Sequence, residues 1–307
     1  MSESLKLCLV DMNNGVANQA TRCFRRILEA FARRVREANP GLTVELVHVQ
    51  PRNRGELPPA DADLVLSSGG PGSPYDGLED AWGLGYRRFL DGVVERNLVA
   101  PALAPQLFSV CHSFQIAAVH FDIARVERRE DLKFGVFPSY TTPHGQETPI
   151  FEPFEDRLFT WEHRAWHVVD LEEARLQALG GSVLARESRP GRDDKGRALT
   201  ALSFAPGVVG TQFHPEADLP GVLAWVQKPE NAAELTDAYG PDLYARMVTT
   251  LNDPNRLGKT FSLLIPGWLT TRFNAWAQAR GLRPIGQPVE DMAAFSAPAE
   301  TDLRMTL

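Results

Sequence analysis

The sequence predicts an α/β fold, a three-layer sandwich with helices on both faces of a mostly parallel sheet, and three observations carry that expectation. Short apolar runs of strand length recur along the chain, each followed by a turn or glycine-rich stretch and then by a segment of helical spacing. The order strand, helix, strand is what a parallel sheet with crossover helices requires. The 307 residues, 43% apolar and 23% charged, are enough to bury such a core and leave an appendage.

The elements follow in order. Leu5 to Val10 is a short apolar run ending at Asp11, and Asn13-Asn14-Gly15 is turn chemistry leading into helical spacing from Ala17 to Ala38. Alternating Val44 to Val49 reads as a second strand and Asp63 to Ser68 as a third, buried one, with a glycine-rich loop from Gly69 to Gly77 after it. A helical stretch around Leu84 to Arg96 precedes the apolar Gln106 to Val110, which stops at Cys111 and restarts as a helix from Ser113. Between Lys133 and Asp170 the pattern is irregular and rich in Pro, Gly and aromatic residues, so loops and short strands crossing the mouth of the sheet are expected. Ser182 to Glu187, Ala198 to Phe204 and Val208 to Phe213 have strand composition, with Gly191 to Gly196 and Pro206-Gly207 as the turns and a hairpin among them. After Pro220 helical segments are expected near Ala232 to Ala238, Pro241 to Leu251 and Trp268 to Arg280, with a weakly ordered tail. The expected division is residues 1–227 as one α/β domain and 228–307 as a helical C-terminal extension.

The bulk numbers exclude some classes of partner. A formal net charge of -7 argues against nucleic acid and anionic membrane surfaces. No basic and apolar leader opens the sequence and no apolar run reaches a membrane span, so a soluble cytoplasmic protein is expected. Cys8, Cys23 and Cys111 are odd in number and irregularly spaced, which suggests neither a disulfide framework nor a metal site. Gly258-Lys259-Thr260 is no phosphate loop, because the glycine required five positions earlier is Asp253. His144, His163 and His167 lack metal-ligand spacing, so no metal and no cofactor are expected. The arginines at 22, 25, 26, 33, 34 and 36 share one helix and read as a solvated face or, alternatively, a docking surface.

Three motifs carry chemistry. An apolar strand, then Ser109-Val110-Cys111-His112-Ser113, then a helix is the arrangement of a nucleophile elbow, in which small residues either side of the tip permit a tight turn. Cys111 at a helix N-terminus meets amides and a dipole that favour a thiolate, and the backbone N–H of His112 points where an oxyanion develops. Taken alone, Cys111 reads equally well as an inert core cysteine. In Gly210 to Glu216 a strand ends at His214, and Pro215 sets an extended dipeptide that can place Glu216 beside the imidazole: a base and its orienter. In Ser68 to Pro74 the glycines let backbone approach a reacting centre, with the N–H of Gly70 as the second oxyanion donor.

With these in order, the chain resembles the class I (triad) glutamine amidotransferases, of the kind found as the glutaminase-like domain of GMP synthase. The family pattern runs G-G-P-G, then G-x-C-x-G-x-Q, then H-P-E. Here it reads Gly69 to Gly72, then Ser109-x-Cys111-x-Ser113-x-Gln115, then His214-Pro215-Glu216, and the resemblance covers about residues 5 to 226. It implies a flavodoxin-like fold and a Cys111, His214, Glu216 triad that hydrolyses the γ-amide of glutamine through a thioester. It also implies ammonia delivery to a synthetase partner. Gln115, Trp166 and His167 are implied to face the substrate. The chain departs from the pattern where both elbow glycines are serine, and the hydroxyl of Ser113 is expected at the pocket. A γ-glutamyl peptidase or hydrolase on the same scaffold, and a catalytically silent regulatory module, stay open as alternatives.

Overall fold

The structure, a computed structural model, describes residues 3–16, 18–189, 198–251 and 254–297. Strand β1 (Ser4–Val10) leads to helix α1 (Gln19–Ala38), strand β2 (Thr43–Val49), the short helix α2 (Pro51–Arg54) and strand β3 (Leu64–Ser67). Helix α3 (Ala81–Val99), strand β4 (Gln106–Val110) and helix α4 (His112–His120) follow. Next come β5 (Ala124–Thr141), α5 (Pro143–Gln146), β6 (Arg157–Leu171), α6 (Glu173–Ala178), β7 (Ser182–Arg186), β8 (Leu199–Ala205) and β9 (Val208–Thr211). Helices α7 (Leu219–Val226), α8 (Pro229–Tyr239), α9 (Pro241–Leu251), α10 (Lys259–Gln278) and α11 (Met292–Ser296) complete the described chain.

The strands form one sheet in the order β2-β1-β3-β4-β9-β8-β7-β5-β6. From β2 to β9 neighbours are parallel, and from β9 to β6 they are antiparallel. The pleat divides the core into two. Leu5, Leu7 and Leu9 face Phe24, Leu28 and Phe31 of α1, whereas Cys8 and Val10 face Tyr86, Leu90 and Val93 of α3. Helices therefore cover both faces, which is why the parallel strands read as continuous apolar runs. Helix α1 starts where Asn18 Oδ1 accepts from the Thr21 N–H at 3.1 Å. Ala17, expected to open that helix, lies outside the described residues, as do Gly191 to Gly196 and residues 298–307 of the expected tail, whose earlier part is ordered as α11 with Phe295 buried.

The stretch from Lys133 to Asp170 corrects the expectation of loops and short strands. Except for the turn around α5, it belongs to β5 and β6, two long antiparallel strands with a register shift between Arg128 and Lys133. The apolar alternation that marks a strand is hidden because its inward positions carry charges. Lys133, Glu162 and Arg164 are all buried there. They are tolerated because they pair. Arg164 Nε lies 2.6 Å from Glu162 Oε2 and its Nη2 2.8 Å from Glu187 Oε2, while Lys133 Nζ lies 2.6 Å from Glu187 Oε1.

Helix α10 begins nine residues before the expected Trp268, its start concealed by Pro266 inside the helix. It is apolar on nearly all sides and lies in the core. Trp268 meets Phe108 edge-on at 5.5 Å, Phe273 meets Phe31 at 5.9 Å, and Trp276 Nε1 donates to Asp63 Oδ1 at 2.8 Å. Thr260, next to the rejected phosphate-loop sequence, is buried and donates to the Phe159 carbonyl at 2.7 Å. The arginines of α1 are not simply a solvated face. Arg22 Nη2 and Arg26 Nη1 lie 2.6 and 2.7 Å from the buried Asp218 carboxylate, Arg36 donates to the Val44 carbonyl at 2.8 Å, and Arg34 donates to the Gly286 carbonyl. Among the described residues no helix is long and apolar enough to cross a membrane.

Candidate active site

Strands β3, β4 and β9 are consecutive in the sheet and parallel, so their carboxyl ends open on one edge. That edge is where an open α/β sheet offers a crevice. Each of the three motifs follows one of these strands, which is how segments almost 150 residues apart in sequence come together.

Cys111 sits between β4 and α4 with φ 51° and ψ -101°, a conformation that costs a side-chain-bearing residue about 1–3 kcal/mol. Neighbouring backbone holds it there: the Cys111 N–H donates to the Thr211 carbonyl at 2.8 Å, and the Gln115 N–H to the Cys111 carbonyl at 3.0 Å. The two serines are absorbed by this elbow in different ways. Ser109 lies opposite Gly210 on β9, where a Cβ would come within 2.1 Å of the Ser109 Oγ, so the glycine has moved to the neighbouring strand. Ser113 Oγ accepts from the Val110 N–H at 2.9 Å and lies 2.8 Å from the Ser67 carbonyl. Its hydroxyl is thus committed to backbone between β3 and β4, not to the pocket where the sequence reading expected it.

His214 is anchored by its own N–H, which donates to the Trp161 carbonyl at 2.9 Å, and its Nδ1 lies 2.8 Å from Glu216 Oε1. Burial alone would push this imidazole down. The Glu216 carboxylate and the hydrogen-bonded Cys111 side chain more than offset it and hold the pKa well above the ordinary value. Cys111, His214 and Glu216 therefore form one connected array. Gly69 closes its third side, since a Cβ there would stand 2.9 Å from His214 Cε1 and 3.2 Å from Cys111 Cβ. Gly69 thus borders both side chains of the pair.

Gln115 reaches the thiol through a residue to which sequence reasoning gave no role. Gln115 Nε2 donates to Gln212 Oε1 at 3.1 Å, and Gln212 Nε2 lies 3.8 Å from Cys111 Sγ. The signal was present, a polar amide at the end of an otherwise apolar strand just before His214. Trp166 contributes its carbonyl, 3.5 Å from Gln115 Nε2, while its ring lies edge-on to Tyr75. His167 is turned to other partners: its Nδ1 accepts from Arg129 at 3.2 Å and its Nε2 donates to Glu127 at 3.3 Å. The side chain of His112 is buried, and neither ring nitrogen has a partner among the described residues. Burial, with Arg52 nearby, pushes its pKa down to about 3, so the ring is neutral.

His163 was read only as a poor metal ligand, yet it stands beside the array. Its ring lies 4.7 Å from Trp225 and 5.4 Å from Phe134, which in turn meets Trp161 at 4.9 Å. The crowding of these rings, with His214 close by, lowers its pKa to about 4. Cys8 and Cys23 are buried elsewhere, and burial pushes the Cys8 thiol up to about 12. No group of three His, Cys, Asp or Glu residues among those described is placed to hold a metal ion.

No family model matches this sequence, and no curated protein does. Solved structures do. A glutamine amidotransferase from Thermotoga maritima aligns over 86% of this chain and 98% of its own, with a TM-score of 0.57 at 13% identity. A glutamine amidotransferase from Methylobacillus flagellatus aligns over 92% of this chain and 97% of its own, with a TM-score of 0.52 at 16% identity. At these identities the likeness is one of architecture, and the chain has the fold of the class I glutamine amidotransferases.

Proposed function

We propose that the chain is a cysteine-dependent amidohydrolase acting on the γ-carboxamide of glutamine. The observation that carries this reading is the connected array of strained Cys111, His214 and Glu216 at the carboxyl edge of the sheet. Cys111 is the nucleophile. Its sulfur attacks the amide carbon and the negative oxygen is held by the N–H groups of Gly70 and His112. His214, protonated beside Glu216, gives its proton to the departing nitrogen as the C–N bond breaks and leaves a γ-glutamyl thioester. It then takes a proton from water, which attacks the thioester and restores the thiol. Glu216 keeps the imidazole oriented and stabilises its charged form. Gln115 and Gln212 hold the thiol side of the pocket. Ammonia released this way is used by a synthetase on a separate polypeptide. The experiment is to measure ammonia from glutamine with the native chain and with Cys111→Ala, alone and with candidate synthetases. Activity in the native chain only supports the reading, and equal activity in both refutes it.

One observation favours a second reading, a γ-glutamyl hydrolase. The leaving group departs beside His214, and the wall there is aromatic, formed by His163, Trp225 and Phe134. Ammonia needs no apolar wall, whereas the amine of a larger γ-glutamyl compound would pack on it. Amine release from a γ-glutamyl arylamide, compared with ammonia from glutamine, separates the two, and Trp225→Ala should penalise only the former.

A further inference from the structure

Arg52 lies on α2, outside every motif, and its guanidinium is buried under the glycine-rich loop with its side chain only 7% exposed. Its Nη1 donates to the Pro71 carbonyl at 2.5 Å and to the Met12 carbonyl at 3.1 Å. These two carbonyls flank Gly70. The Met12 carbonyl presses on the Gly70 Cα so closely that a Cβ would stand 2.1 Å from its oxygen, and Pro71 is the next residue. On the other side, Ser68 Oγ accepts from the Met12 N–H at 2.9 Å and donates to the Gly69 carbonyl at 2.8 Å. A trans peptide points its C=O and N–H in opposite directions, so fixing the Gly69 oxygen also fixes the Gly70 N–H. Ser68 sets the peptide plane and Arg52 holds the backbone that follows it.

Asp76 backs the guanidinium, with Oδ2 3.6 Å from Nη2, and Gly72 leaves just enough room for both. The unpartnered imidazole of His112 lies within electrostatic range of the same two charges. Because that ring is neutral it can lie beside a cation. Arg52 is thus hydrogen-bonded to the carbonyls on either side of Gly70, one expected oxyanion donor, and lies within electrostatic range of His112, the other.

We propose that Arg52 is a positioning residue of the oxyanion hole, holding the Gly69-Gly70-Pro71 backbone so that the Gly70 N–H faces the oxygen of a substrate bound to Cys111. The inference rests on the hydrolase reading above. An ordinary surface arginine pairs with a carboxylate and contributes little. Arg52 instead spends its shortest hydrogen bonds on two carbonyls of the loop and its neighbour, a use for which the planar guanidinium is suited and a lysine is not.

The test compares two reactions of the same sulfur. Alkylation of Cys111 by iodoacetamide forms a C–S bond and expels iodide without creating an oxyanion. Amide hydrolysis passes through one. Arg52→Ala is expected to lower kcat for hydrolysis by about 10²-fold, the usual cost of one lost donor, while the alkylation rate stays near the native value. Arg52→Lys, with one point charge for two carbonyls, is expected to fall between. Thermal melting checks the fold, and Arg52→Lys decides if Arg52→Ala does not fold. Equal losses in hydrolysis and alkylation, or hydrolysis unchanged in either variant, would overturn the assignment. Absence of Cys111-dependent hydrolysis in the native chain would instead sink the hydrolase reading itself.

Discussion

Replacing Gly69 with alanine tests the geometry of the array with a single methyl group. The φ of Gly69 is not in the left-handed region, so alanine meets no backbone penalty there and its effect must come from what the new Cβ touches. It touches the two reacting side chains, at 2.9 Å from His214 Cε1 and 3.2 Å from Cys111 Cβ. Carbon atoms at rest stand about 3.5–4.0 Å apart, so the imidazole must retreat by about 0.6 Å and the thiol-bearing carbon by about 0.3 Å at least. Shifts of this size at nucleophile and base cost on the order of 10²-fold in rate, or about 2.7 kcal/mol of barrier. The strain on the folded state is about 1–3 kcal/mol, as for other overpacked sites. The assay is Cys111-dependent amide hydrolysis beside a thermal melt. Turnover at the native level in a folded Gly69→Ala variant would refute the placement of Gly69 between the two groups.

Cys111→Gly removes the nucleophile and also the reason for strain at φ 51°, so it should be inactive yet more stable by about 1–3 kcal/mol in a denaturant melt. Ser113→Gly deletes a hydroxyl bonded to Ser67 and Val110; a loss of about 1 kcal/mol in stability with an unchanged ratio of glutamine to γ-glutamyl activity is expected, and altered selectivity would place the hydroxyl at substrate. The pKa of His214 is raised in the folded chain, so its stabilising contribution is full below the ordinary histidine value and is lost as pH rises through the raised one. Glu216→Gln removes the main opposing charge, burial then dominates, and NMR titration of the His214 ring should show its pKa falling; an unmoved titration would deny Glu216 its role.

The legible part of the fold was its parallel half. There β1, β3 and β4 are buried on both faces and read as plain apolar runs, and turn residues mark their ends. The long β5 and β6 pair escaped notice because Lys133, Glu162 and Arg164 occupy inward positions and are made tolerable by Glu187, a partner on neither strand. Helix α10 escaped in part because Pro266 interrupts its pattern. At the site, the residues within motifs were legible because local chemistry demands their types: a tight turn at Cys111, and at Pro215-Glu216 a chain reversal in which the Ala217 N–H donates to the His214 carbonyl at 3.3 Å, a turn where an extended dipeptide was expected. Gln212, His163 and Arg52 were not, because their roles come from neighbours far away in sequence. The exchange of small residues between Ser109 and Gly210 shows the same limit. A motif read along one strand cannot show that the next strand made room.

The central claim is that Cys111 forms a γ-glutamyl thioester, and trapping that adduct tests it most directly. The native chain, mixed with a γ-glutamyl substrate and quenched in acid within the turnover time, should carry one γ-glutamyl group by intact mass, mapped by peptide sequencing to Cys111 and absent from Cys8, Cys23 and the Cys111→Ala variant. Hydrolysis that persists in Cys111→Ala, or an adduct on any other residue, would contradict the account.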